Sequence, residues 1–146
     1  MKNFRLIVVI IAAAMIIPAS CKPKEPTDLT KAGIIPRPVT VTSTGEAFAL
    51  NSRTTVYVDA GSDEILKIGQ YLADRLNSSA GLDIAVQEAQ AEPGKGSILL
   101  TLSDAGNNLG EEGYTLTVTR NQVKLAAEKP AGLFRGIQTI RQLVEK

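Results

Sequence analysis

The sequence predicts an α+β domain of two layers, a largely antiparallel β-sheet with two helices packed on one face. Three observations carry this. Short segments alternating apolar and polar residues recur before and after a single long helical stripe. The chain closes on a strand pair followed at once by a second helical stripe. Both stripes are apolar on one side only, so each helix has one face to bury and one to leave wet.

The closing unit, Glu112 to Lys146, organises the rest. Tyr114, Leu116 and Val118 alternate with Thr115, Thr117 and Thr119, the period of a half-buried strand. Alternation resumes at Val123, Leu125 and Ala127 after Arg120-Asn121, and Asn accepts the left-handed backbone of a tight reversal. Pro130 then opens a helix, where its missing amide hydrogen costs nothing. Leu133, Ile137, Ile140 and Val144 form the stripe, joined by Phe134 and Leu143. Gly132 and Gly136, four apart, suggest that another element packs closely there.

Upstream, Pro36 and Pro38 impose an extended backbone. Val39 and Val41 alternate with threonines, and Phe48 and Leu50 with alanines. Val56 and Val58 follow within Thr54–Asp59. Three short strands are expected here, the first at a sheet edge because of its prolines. Ser62 caps a helix whose first turn carries Asp63 and Glu64, complementing the helix dipole. Ile65, Ile68, Leu72 and Leu76, with Gly69 and Ala73, make its stripe, and Gly81 closes it in the left-handed conformation. Asp83 to Glu88 reads as a strand. Ser97 to Ser103, with Ile98, Leu99, Leu100 and Leu102, reads as a central strand covered on both faces. Gly94-Lys95-Gly96 lacks the helix and hydroxyl residue of a phosphate loop and reads as a turn.

Ahead of this domain, Lys2 and Arg5 precede 12 unbroken apolar residues, Leu6 to Ile17. A membrane-spanning helix needs about 20 such residues, whereas the core of an export signal needs roughly 7–15. Pro18-Ala19-Ser20 then lead to Cys21, the only cysteine of the 146 residues. Residues 1–20 are therefore expected to be a lipoprotein signal peptide, with Cys21 lipidated and tied to the membrane. An ordinary cleaved signal leaving a spare thiol is the alternative. Residues 21–33, polar with two prolines, form a tether, and residues 34–146 form the domain. The expected location is the bacterial cell envelope, at the outer membrane or the periplasmic face.

Loss of the signal takes Lys2 and Arg5 with it, moving the net charge from +1 to −1. That balance offers no footprint for nucleic acid. The absence of histidine excludes His-based zinc sites and His-dependent triads, and one cysteine excludes thiolate clusters. No metal or cofactor is called for. Asp104, Glu111 and Glu112 are the acids gathered near strand ends, but nothing adjacent would raise a pKa as acid catalysis requires.

Three stretches carry a resemblance: Ile34-Ile35-Pro36-Arg37-Pro38-Val39, Glu112-Gly113-Tyr114-Thr115-Leu116-Thr117-Val118, and Pro130 to Leu143 with its Gly-Leu-Phe-Arg-Gly-Ile-Gln-Thr core. In this order they resemble the N-terminal, non-catalytic domain of glycoside hydrolase family 20, the β-N-acetylhexosaminidases. Lys129 departs from the pattern, which more often has a capping Asp before the proline. The resemblance implies chemistry in which the sugar's own acetamido group attacks, an exception to the usual two-carboxylate scheme. It places the required Asp–Glu pair in a (β/α)8 barrel of about 250 residues, beyond Lys146. No residue here is then catalytic, and this chain alone is expected to be inactive. Arg135, Gln138 and Arg141 are the candidates for contact with that barrel, a solvated helix face being the other reading. Gly132 and Gly136 admit either the domain's own sheet or the barrel. Two alternatives stand beside this: a standalone envelope lipoprotein that binds or scaffolds, and the N-terminal domain of an O-linked N-acetylglucosamine hydrolase.

Overall fold

The computed structural model describes residues 33–103 and 109–144. The signal, Cys21, the tether to residue 32 and Asp104 lie outside these residues. Five strands and two helices alternate as β1 (Thr55–Asp59), α1 (Asp63–Ala80), β2 (Ala85–Ala89), β3 (Ser97–Leu102), β4 (Tyr114–Val118), β5 (Gln122–Ala127) and α2 (Pro130–Val144). Both helices lie on one face of a single sheet ordered β2-β1-β3-β5-β4.

The two-layer α+β architecture is the expected one, but the sheet is mixed rather than largely antiparallel. The pairs β1–β2, β1–β3 and β3–β5 are parallel, and only the β4–β5 hairpin is antiparallel. The reason lies in the connections. Helix α1 carries the chain back over the sheet, so β2 starts at the same end as β1. Residues 90–96 likewise carry it back from β2 to β3, on the face away from the helices, where Pro93 and Glu92 lie against β5. Gln122 Nε2 donates to the Pro93 carbonyl at 3.2 Å, and Lys124 Nζ stands 3.8 Å from Glu92 Oε1. This crossing leaves Leu99 only 4% exposed on the face opposite the helices. β3 is thus central and covered on both sides, as its apolar run predicts.

Of the three strands expected before α1, only β1 forms. Residues 39–50 have no regular ladder. Phe48 and Leu50 still pack against the core, and side chains replace strand pairing. Thr44 Oγ1 donates to the Val118 carbonyl, Arg120 N donates to Glu46 Oε2, and Gln142 exchanges two hydrogen bonds with the backbone of Ile35. Alternation announces which side chains face inward, but it names no partner strand.

Local signals at the helix ends hold. Ser62 Oγ accepts from Ile65 N at 3.4 Å, and Gly81 at φ 65° returns its amide to the Asn77 carbonyl at 2.9 Å. Asn77 also pairs both ways with the Ile84 backbone, fixing how β2 leaves the helix. The Arg120-Asn121 reversal is closed by Thr119 N on the Gln122 carbonyl at 2.9 Å. Gly96, at φ 84°, sits in the expected turn and donates to the Asn121 carbonyl.

The core lies between sheet and helices. Val56, Val58, Leu100 and Leu125 from the strands meet Leu72, Leu133 and Ile137 from the helices, all fully buried. Each helix approaches through glycine. A Cβ on Gly69 would come within 2.6 Å of Val58 Cγ1. Gly136 lies on Leu125, and Gly132 on the Gly113 carbonyl. The close partner of Gly132 and Gly136 is therefore the domain's own sheet.

Candidate functional site

The two helices leave a groove of about 520 Å³ on their outer side, lined by Lys67, Ile68, Tyr71, Pro130, Phe134 and Arg135 among others. Tyr71 projects from α1 and Phe134 from α2, their ring centroids 5.7 Å apart. The Arg75 guanidinium lies 5.0 Å over the Tyr71 ring, a cation–π contact. Phe134 remains 43% exposed. The sequence places it with the buried stripe, but it stands next to Leu133, and consecutive helical residues point about 100° apart. Leu133 takes the inward position and Phe134 is left on the rim. The signal was present in the sequence as two adjacent large apolar residues competing for one inward direction.

Arg135, Gln138 and Arg141 share the outer side of α2, as their spacing of three implies. Their contacts differ. Arg141 Nη1 donates to Gln138 Oε1 at 2.8 Å and to the Tyr71 hydroxyl at 3.4 Å, so this pair braces α2 against α1. Arg135 grips Glu112 with two parallel bonds, Nη2 to Oε1 at 2.8 Å and Nε to Oε2 at 3.2 Å. Both side chains stay more than half exposed, at 55% and 61%. Glu112 thereby anchors the chain entering β4 to the first turns of α2, beside the groove mouth.

Hydrogen bonding from Arg135, with its charge as the second cause, lowers the Glu112 pKa and raises that of Arg135. A carboxyl held low is a poor general acid, so Glu112 is not poised to donate a proton. The sign for stability follows from the lowered pKa. The pair's contribution is present above the unfolded-state pKa and is lost as pH falls through the folded-state value. Exposure of both partners to solvent keeps that contribution small. In an NMR titration Glu112 is expected to ionise at lower pH in the wild-type protein than in Arg135→Gln, with little change in thermal stability between the two. Equal midpoints would show that the fork does not persist in solution.

Among the described residues, no cluster of Cys, Asp and Glu could hold a metal ion, and no helix is long and apolar enough to cross a membrane. Inside the domain, half-buried polar groups tie elements together. Tyr114 Oη and Thr139 Oγ1 share a 2.6 Å bond, tying β4 to α2. Asp59 accepts from Thr101 Oγ1 at 3.0 Å and Leu102 N at 2.5 Å, tying the ends of β1 and β3.

The arrangement is a two-layer domain with an open aromatic groove. The model of glycosyl hydrolase family 20, domain 2, matches residues 31–146. The β-hexosaminidase of Porphyromonas gingivalis is 33% identical over 111 residues, 76% of this chain. The β-N-acetylhexosaminidase of Cellulomonas fimi is 33% identical over 112 residues, again 76% of this chain. This chain spans only 14% and 22% of those two curated relatives. The solved family 20 β-N-acetylhexosaminidase of Streptomyces coelicolor A3(2) superposes with a TM-score of 0.71 at 38% identity, covering 84% of this chain and 24% of that one. With the family model spanning the whole folded part, this chain belongs to glycosyl hydrolase family 20 and carries its domain 2.

Proposed function

We propose that this domain is a non-catalytic accessory part of an exported β-N-acetylhexosaminidase, which removes terminal N-acetylhexosamine. Its role is to dock on the (β/α)8 catalytic barrel through the outer face of the two helices. The observation that carries this is the groove around Tyr71 and Phe134, an aromatic rim left open on a domain whose family relatives are much longer. A half-exposed phenylalanine flanked by arginine suits an interface, where aromatic and Arg side chains concentrate the binding energy. Arg135 and Glu112 would rim that contact, with Gln138 and Arg141 holding the face in shape. Cys21 would carry the lipid that keeps the protein at the cell envelope, supported by the short apolar run and the small residues before it.

Two measurements test this reading. The purified 146-residue protein should release no chromophore from a chromogenic N-acetyl-β-glucosaminide. Fused to the catalytic part of a family member, it should melt several degrees higher than alone, and Phe134→Asp should abolish that gain while sparing the isolated domain. Turnover by the short protein, or a fusion in which the domain melts unchanged, would refute it. For the anchor, palmitate should label the protein in cells and not its Cys21→Ser variant; equal labelling would remove Cys21 from the proposal.

A further inference from the structure

The free edge of β4 carries a register mark. The Thr119 amide donates the hairpin's ladder bond to the Gln122 carbonyl, so by alternation Thr115 and Thr117 also face β5. Tyr114, Leu116 and Val118 must then present their N–H and C=O groups outward, where β4 has no second neighbour among the described residues. One outward group is already held: the Val118 carbonyl accepts from Thr44 Oγ1 at 3.2 Å. Two residues on, Arg120 N donates to Glu46 Oε2 at 3.0 Å. Both bonds join residues 74 apart in sequence. A constant offset means that residues 44–46 run alongside residues 118–120 in the same direction, in parallel register.

Continued backwards, this register sets Thr42 opposite Leu116 and Thr40 opposite Tyr114. The residues that would lie there, Val39-Thr40-Val41-Thr42, have the β-branched composition and period of a strand. In the structure they form no ladder, and Val39 is fully exposed. The far end of the segment is pinned as well, by the two bonds between Gln142 and Ile35 at 2.9 and 2.7 Å. From Ile35 to Thr40 is five residues, a reach of up to roughly 17 Å. Tyr114 already touches Thr139, one turn from Gln142 on α2.

We propose that residues 39–44 are a strap that closes on β4 as a sixth, parallel strand. Leu116 N–H would donate to the Val41 carbonyl, and Ser43 N–H to the Leu116 carbonyl. Tyr114 N–H would donate to the Val39 carbonyl, and Val41 N–H to the Tyr114 carbonyl. Val41 comes to lie beside Thr115, a favourable β-branched pair. Closure shields Tyr-Thr-Leu-Thr-Val, an uncharged edge suited to pairing with other chains. The inference does not depend on the proposed docking.

Amide hydrogen exchange on the full chain, read residue by residue, tests it. Thr115 and Thr117, bonded to β5, report that the hairpin is intact. With the strap closed, Tyr114 and Leu116 amides exchange at least about tenfold more slowly than unprotected amides. In Val41→Pro, which lacks the Val41 donor, they return to unprotected rates while Thr115 and Thr117 stay slow. Unprotected exchange at Tyr114 and Leu116 in the wild-type protein, beside slow Thr115 and Thr117, would overturn the proposal. Protection that persists unchanged in Val41→Pro would do the same.

Discussion

Gly136→Ala should destabilise the domain, and Leu125→Ala should partly undo the damage. In a helix interior, alanine is ordinarily better than glycine by about 1 kcal/mol. Here the added Cβ would overlap Leu125 Cδ1 and come within 2.8 Å of Cδ2, on a side chain with no exposure. Overpacking of this kind costs about 1–3 kcal/mol, which outweighs the propensity gain. Leu125→Ala alone should cost about 2–5 kcal/mol through the space it leaves between β5 and α2. Together, the new methyl occupies part of that space. The double variant should then be more stable than the sum of the two losses predicts, by about 0.5–3 kcal/mol. Urea denaturation of the four proteins measures this. Strict additivity would mean that α2 does not sit on Leu125 as described.

Gly132→Ala should be worse and beyond such rescue. Its Cβ would run into the carbonyl oxygen of Gly113 and approach Ala127 Cβ to 2.8 Å. A leucine can change rotamer; the Gly113 carbonyl belongs to the backbone entering β4, and moving it shifts the strand. A loss of about 3 kcal/mol is expected, near the upper end for overpacked sites. Since a small domain has only about 5–15 kcal/mol in total, that is a large share. The atoms nearest a Cβ on Gly132 belong to Gly113 and Ala127, not to Leu125. The loss should therefore add to that of Leu125→Ala, in contrast to Gly136→Ala. A Gly132→Ala protein with wild-type denaturation midpoint would place the first turn of α2 farther from β4 than it is.

Helix α1 could be read almost residue by residue. Ser62, the acids after it, the stripe through Leu76 and Gly81 at its close are all near neighbours in the chain, and each acts within a turn or two. The same holds for the Thr119–Gln122 reversal and for the start of α2 at Pro130. The family likeness was equally readable, and the Gly-Leu-Phe-Arg-Gly-Ile-Gln-Thr segment that carries it holds Gly132, Leu133, Gly136 and Ile137, which seat α2 on the sheet. The candidate site was readable in part. The spacing of Arg135, Gln138 and Arg141 put them on one side of α2, but only distance in space shows that Arg135 turns to Glu112 while Arg141 turns to Tyr71.

By itself, then, the sequence determined both helices, the strands from β1 onward, most of their inward faces, the two helices on one side and the family. The tertiary structure alone decided that three of the four strand pairs run parallel, that residues 39–50 make no ladder, that Phe134 is left outside, and that the sheet receives both glycines of α2. Capping, turn chemistry and hydrophobic period act between residues a few positions apart, so they are written locally. Strand direction and contact partner depend on where a distant segment returns, and that is settled by how connections such as residues 90–96 cross the sheet.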